Sequence, residues 1–389
     1  MKKKINKEKG ITLIALVITI IILLILAGIS ISALTNQGLF KNAKIAQNAT
    51  EKAEKEQGQR LNEYEDEINK YLGNSKDESK DDTKGTTVEE AIKKNGALST
   101  TDNTELKDAK NNKIVVPAGF KIVEGATTVD KGIVIEDVTE SGTKGSQFVW
   151  IPVGTITKSD GTTTTITLGR YVFYGTTESA YSGEYVEEDS SQASTLKKYG
   201  NAIAKNITNF KNSVATNGGY YIGRYEARTA TDRNAAGNVL TLTQITEKGT
   251  ENVYNYVTQQ QAAQLSQNMY NSDKFTSDLM NSYAWDTAIV FIQNCGTNAK
   301  YSRQNSLNTS LAQTGTNSLT DTSKVDVQCN IYDMASNIRE WTTETSDYTG
   351  SPCVNRGGGY SSSNDTSYRN HDWDSYNLDS IGFRPLLYL

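Results

Sequence analysis

Three consecutive glycines, Gly357, Gly358 and Gly359, constrain this chain more than any other feature. A helix interior would not hold them, and a strand would have no side chains there to pack. They call for backbone that turns with positive φ or runs hard against another segment. Their neighbours are as telling. Asn330-Ile-Tyr-Asp-Met-Ala-Ser-Asn-Ile-Arg-Glu-Trp341 precedes them, Arg356 and Tyr360 flank them, and Gly382-Phe-Arg-Pro385 follows. Trp341 reads as a core residue at a strand end. From Tyr360 to Ser380 most residues are Ser, Asn, Asp or Tyr, with Arg369 and Trp373 added.

Taken in this order, the pieces resemble the end of the formylglycine-generating-enzyme family, whose fold is C-type-lectin-like. Asn330, Tyr332, Asp333, Met334, Asn337, Glu340 and Trp341 match the family's first segment, with Ser336 where Gly is usual. Arg356-Gly-Gly and Gly382-Phe-Arg match the next two, with Gly359 where Ser is usual. Phe148-Val-Trp-Ile-Pro152, Tyr221-Ile-Gly-Arg-Tyr-Glu226 and a degraded Leu279-Met-Asn-Ser-Tyr-Ala-Trp285 extend the resemblance upstream. It covers roughly Ile114 to Leu389 and implies one α+β domain over residues 113–389.

The residues themselves point the same way. Ile114–Val123, Gly132–Glu136, Gln147–Val153, Thr165–Tyr174 and Gly219–Tyr225 are rich in β-branched residues between turn signals and predict strands. Val257–Met269 and Ser277–Gln293 predict helices, the second with Leu279, Ala284, Trp285, Ala288, Phe291 and Ile292 facing inward. Strands and helices do not alternate regularly, which favours α+β over a doubly wound sheet.

The resemblance also implies a reaction, and the sequence argues against it. The family oxidises a substrate cysteine with two thiolates that hold copper(I), a soft ion. Counting from Tyr360, those positions fall on Ser362 and Ser367. A hydroxyl is too hard and too basic a replacement, so no copper and no catalysis of that kind are expected. The single histidine, His371, removes most hydrolase triads and nearly all zinc sites. By position in the family, a structural calcium would take carboxylate oxygens from Asp333 and Glu340 and backbone carbonyls from Ser336 and Ile338, a donor set of hard oxygens.

What remains is a binding surface. Aromatic plates among small polar residues are the vocabulary of a paratope. We therefore expect ligand contacts from Tyr360, Ser362, Asn364, Asp365, Tyr368, Asn370, His371, Asp372, Trp373, Asp374, Tyr376 and Asn377. An ordinary solvated loop would share that composition. The family-like flanks suggest that the segment is instead displayed by a scaffold. A subset of proteins with this scaffold are the variable proteins of diversity-generating retroelements. In them adenine positions of the last gene segment are randomised, and Asn codons scatter to Tyr, Asp, His and Ser. This chain has that vocabulary in that place.

The N-terminal part has a different character. Residues 1–10 carry Lys2, Lys3, Lys4, Lys7 and Lys9 against Glu8, and no charge follows until Lys41. Residues 11–35 predict a membrane-crossing helix with the lysines on the cytoplasmic side and the C-terminal domain outside the cell. Lys9-Gly10-Ile-Thr-Leu-Ile14 resembles the leader of type IV pilins and pseudopilins, which a prepilin peptidase cuts between Gly10 and Ile11. Pilins carry Glu at mature position five, where this chain has Ala15; that departure fits a tip subunit better than a major filament subunit. A plain membrane anchor is the alternative. A cleaved secretory signal ending near Ala33 is disfavoured, because the apolar run is too long for one.

Residues 36–72 predict a helical stalk with one apolar face, Leu61, Tyr64, Ile68 and Tyr71 or Leu72. Residues 73–112 predict a flexible tether, with a short helix at Val88–Lys94. The partners this organisation implies are the membrane, an extracellular protein or glycan, and for the pilin-like reading other pilin or pseudopilin subunits. A net charge of −5 argues against nucleic acid. Outside the cell a disulfide can form, and Cys329 with Cys353 would be the preferred pair; the other reading leaves Cys295, Cys329 and Cys353 all unpaired.

Overall fold

The computed structural model describes residues 87–139, 142–187, 204, 206–230, 245–249, 251–307, 326–346, 348 and 350–389. The basic leader with its Gly10–Ile11 junction, the apolar segment of residues 11–35, the stalk and the first part of the tether lie outside them. No helix among the described residues is long and apolar enough to cross a membrane.

The described fold is mixed α and β, with strands predominating and four α-helices. A six-stranded sheet forms its centre. Its members are β1 (Phe120–Ile122), β2 (Val134–Asp137), β3 (Gln147–Pro152), β4 (Gly219–Gly223), β5 (Thr276–Leu279) and the chain's last strand, Pro385–Tyr388. A second sheet of four strands contains β6 (Arg339–Thr345), β7 (Cys353–Arg356), β8 (Arg369–Asp372) and β9 (Ile381–Phe383); Pro385–Tyr388 is then β10. The large sheet has the order β5-β10-β4-β3-β2-β1, with every pairing antiparallel. The small one has the order β8-β7-β6-β9, with β6 and β9 parallel.

The large sheet is buried on both faces, which is why β3 reads Phe-Val-Trp-Ile rather than alternating. Phe148, Trp150, Tyr221 and Leu387 enter one apolar cluster with Trp341, Ile381 and Phe383 of the small sheet. Val149, Ile151, Tyr220, Ile222 and Leu386 enter the other. That second face is covered by α2 and α4, once α1 (Val88–Lys94), α2 (Ile207–Asn217), α3 (Gln259–Gln267) and α4 (Ser282–Cys295) are placed. Fully burying each of Trp150, Trp285 and Trp341 contributes on the order of 2–3 kcal/mol.

Local chemistry sets the helix starts. Thr87 and Glu90 form a reciprocal capping box on α1, as do Thr258 and Gln261 on α3. Asn281 accepts from the Ala284 N–H at 2.9 Å and starts α4. This corrects the expected helix over residues 277–293: its first part is strand β5, paired along its length with β10. Likewise the strand expected over residues 165–174 is two pieces, Thr163–Ile166 and Tyr171–Phe173.

The tether of residues 73–112 is corrected over its second half. The short helix expected at Val88–Lys94 is present, and Val88, Ala91, Leu98 and Leu106 are all at most 6 % exposed in the main core. Four well-spaced apolar side chains anchor this segment, although its average composition is that of a linker. No disulfide joins Cys329 to Cys353, and Cys295 forms none either.

Candidate functional site

The small sheet assembles the three C-terminal motif pieces. β6 pairs with β7 to set Glu340 opposite Arg356 and Trp341 opposite Asn355. It pairs with β9 to set Trp341 beside Phe383. Gly357 then turns with φ +81°, and a Cβ there would lie 2.5 Å from the Met334 carbonyl oxygen. Gly358 is needed for a different reason. Its Cβ would lie 2.2 Å from the Ala335 carbonyl oxygen, so close approach rather than positive φ excludes a side chain.

Residues 360–380 are not one loop, because β8 runs through them, paired with β7 from Arg369–Arg356 to Asp372–Cys353. Beneath this strand lies a buried ionic network. Arg356 donates to Asp286 at 2.6 Å, and Arg369 reaches the other oxygen of Asp286 at 2.5 Å. Arg369 also donates to Glu344 at 2.9 Å, and Arg170 closes on the same carboxylate. Burial alone would push the Glu344 carboxyl up, but Arg369, Arg356 and Arg170 together hold it below its ordinary range. Asp286 comes from α4, Glu344 from β6, Arg356 from β7 and Arg369 from β8. The network ties the segment to the core at the point where the indole of Trp285 donates to the Thr366 carbonyl at 3.0 Å.

This frame divides the expected contact residues. Tyr368 and Trp373 are 43 % and 62 % exposed, and Asp374 is exposed beside them. Asp372 faces inward to its neighbours instead, accepting from Asn370 at 2.7 Å, Asn355 at 2.8 Å and Arg339 at 3.4 Å. Tyr376 packs against the main core. Ser362, with its Oγ buried, and Asn364 lie in the turn after the glycines, and Tyr360 and Asn377 are partly buried. His371 is partly buried on β8 between the rings of Tyr348 and Tyr185, at 5.6 and 6.0 Å. Asp365 pairs with Arg303 at 3.0 Å.

Beside Tyr368 opens a cleft of about 280 Å³ that the sequence reading missed on one side. Its second wall is Tyr171, Phe173, Tyr181 and Tyr185, with Arg303 at the edge. The Arg369 guanidinium stacks over the Tyr181 ring at 4.1 Å. Burial, helped by Glu184, pushes the Tyr185 phenol up to about 12, so it stays a neutral hydroxyl. The available signal was Tyr171, Tyr174, Tyr181 and Tyr185 within fifteen residues, a density suited to contact surface.

The residues expected around calcium have partners within the protein. Arg384 donates to both oxygens of Glu340, at 2.6 and 3.1 Å. The Ile338 N–H donates to Glu226, and the Ser336 hydroxyl accepts from Leu307. Asp333, at φ +63°, is buried near Asp326 and Arg228. Among the described residues no group of three or more His, Cys, Asp or Glu side chains is placed to hold a metal ion; two carboxylates with two backbone carbonyls are a different kind of donor set. At the positions of the family's thiols, the Ser367 hydroxyl donates to Asp365 at 3.0 Å. Burial pushes the thiols of Cys295 and Cys353 up to about 12 and that of Cys329 higher still.

No protein-family model matches the chain, and no curated protein matches it. The chain has a weak likeness to solved structures. The crystal structure of CarF is 17 % identical with a TM-score of 0.26, over 35 % of this chain and 67 % of that one. The structure of Treponema denticola variable protein 1 is 13 % identical with a TM-score of 0.33, over 64 % of this chain and 98 % of that one.

Proposed function

We propose that this chain is a non-catalytic binding protein that displays a C-type-lectin-like domain outside the cell on a pilin-like membrane anchor. Its ligand, an extracellular protein or glycan, is bound by the C-terminal segment, which is of the retroelement-diversified kind. The observation that carries this reading is the division of residues 360–380. Exposed Tyr368 and Trp373 flank the two ends of strand β8, which is clamped from beneath by Arg356, Asp286, Arg369 and Glu344. Such a clamp lets outward side chains change while the backbone stays in place. The tyrosine wall of residues 171–185 supplies a constant half to the cleft. Ser362 and Ser367 in place of two thiols support a role without catalysis. Sequencing this locus across sibling cells tests the reading. Changes confined to codons for residues 360–377, with Arg356, Arg369 and the 171–185 wall constant, are expected; changes spread evenly over the domain would sink it.

A further inference from the structure

Cys295 and Cys329 lie 34 positions apart in the sequence, and folding brings their surroundings together. Cys295 ends α4. The residues just after it dock on Gln328, the residue just before Cys329. The Thr297 N–H and hydroxyl both donate to the Gln328 Oε1, at 2.9 and 3.1 Å. A Cβ on Gly296 would lie 2.6 Å from the same oxygen. Both cysteines also meet Asp130. The Cys329 Sγ lies 3.7 Å from its carbonyl oxygen, and burial and then the Asp130 charge raise the Cys295 thiol. Both pack against the apolar cluster that includes α4. Burial, then the charge of a Cys295 thiolate, pushes the Cys329 thiol up, which places the two sulfurs within electrostatic reach. Cys353 is elsewhere, buried on β7 with Asp374 and Asp372 as its charged neighbours.

The backbone at Cys329 is unusual for a cysteine. Val327–Gln328 pairs with Ile331–Tyr332, with Gln328 opposite Ile331, so Cys329 and Asn330 are the two residues of a tight turn. Both have positive φ, +48° and +64°. Such a turn favours Asn and Gly, and Asn330 suits it. A cysteine gains nothing from a left-handed backbone, so its place there points to a use for the sulfur. The turn is also fixed in position, because a Cβ on Gly132 would lie 1.8 Å from the Cys329 carbonyl oxygen.

We propose that Cys295 and Cys329 are the disulfide pair of this domain and that Cys353 stays a thiol. The oxidant is a small-molecule disulfide such as oxidised glutathione. One cysteine thiolate attacks it, forming a mixed disulfide and releasing one glutathione thiol. The second thiolate then displaces the other glutathione. Two cysteine thiols become one S–S bond, and one glutathione disulfide becomes two thiols, which carry the two protons away. The bond fastens the end of the helix that supplies Asp286 to the turn leading into Asn330–Trp341. It is independent of the ligand proposed for the C-terminal segment.

Trypsin separates the three cysteines, into peptides 275–300, 325–339 and 340–356. The full chain in detergent is kept with oxidised glutathione until its thiol content is constant, then alkylated and digested without reductant. Mass spectrometry should find 275–300 joined to 325–339, with 340–356 alkylated. A bridge to 340–356, glutathione held separately on Cys295 and Cys329, or alkylation of all three would overturn the proposal. A second readout is thermal unfolding. Reductant should lower the unfolding temperature of the oxidised parent by about 5–10 °C, because the bridge closes a loop of intermediate length. It should leave Cys295→Ser and Cys329→Asn unchanged, the second keeping a residue suited to the left-handed turn. An equal effect of reductant on the parent and both variants would also overturn the pairing.

Discussion

Trp341 and Trp373 show how differently two tryptophans in one C-terminal region can be used. Trp341 is fully buried, and its indole donates to the Val257 carbonyl at 2.8 Å. Trp341→Ala should cost about 3–5 kcal/mol in chemical denaturation. Gly358→Val should also destabilise, because its side chain would collide with the Ala335 backbone. Tyr368→Ala and Trp373→Ala should stay within about 0.5 kcal/mol of the parent while lowering ligand affinity by about 2 kcal/mol or more. Destabilisation of either on the scale of Trp341→Ala would show that these residues are core. The buried carboxylates make a separate prediction. Burial pushes Asp326 up to about 6, and burial with neighbouring carboxylates raises Asp333, Glu226, Glu247 and Glu340 against Arg228 and Arg384. The folded chain therefore holds protons that the unfolded chain has already released above about pH 4. That contribution to stability is present below the ordinary carboxylate range and is lost as pH rises through 6 and beyond. Thermal unfolding should occur at higher temperature at pH 5.5 than at pH 7.5. Asp333→Asn, which keeps a residue tolerant of φ +63°, should shrink the difference.

Strand β8 owes its position to partners on other elements more than to its own residues. Only four residues long, with every one partly exposed, it would not persist as an isolated strand. Pairing with β7 and the two carboxylates reached by Arg369 hold it. Removing one member of a buried ion network leaves the others charged without a partner, at a cost of about 3–5 kcal/mol. Arg356→Met should thus destabilise the domain by that amount. Amide hydrogen exchange should show the loss of protection concentrated in residues 366–372. Uniform loss across both sheets would mean that the network is a general core element rather than the clamp of this segment.

At the scale of the whole molecule, the Lys9-Gly10-Ile11 junction bears on where the mature chain begins. Intact-mass and N-terminal peptide analysis of protein from its native cells should find Ile11 as the first residue. A start at Met1 would leave a plain anchor, and a start near Ala33 would mean secretion. Either outcome would leave the geometry of residues 360–380 untouched.

The residue order alone carried the apolar β3 run, the burial of Trp341 and the special backbone of Gly357–Gly359, because each depends on local sterics or hydrophobicity. It also carried the order of the C-terminal motif pieces that the small sheet brings together. It could not show that Asp286, Glu344, Arg356 and Arg369, up to 83 residues apart, meet under β8, because ion pairing at that range leaves no local pattern. For the same reason composition could not show that Asp372 accepts from Asn355 or that Tyr376 packs against the main core. The tyrosine wall of residues 171–185 became part of the site only when folding brought it beside Tyr368. The four apolar residues of the former tether found their core in the same way, since burial is a property of what surrounds a side chain and not of its neighbours in the chain.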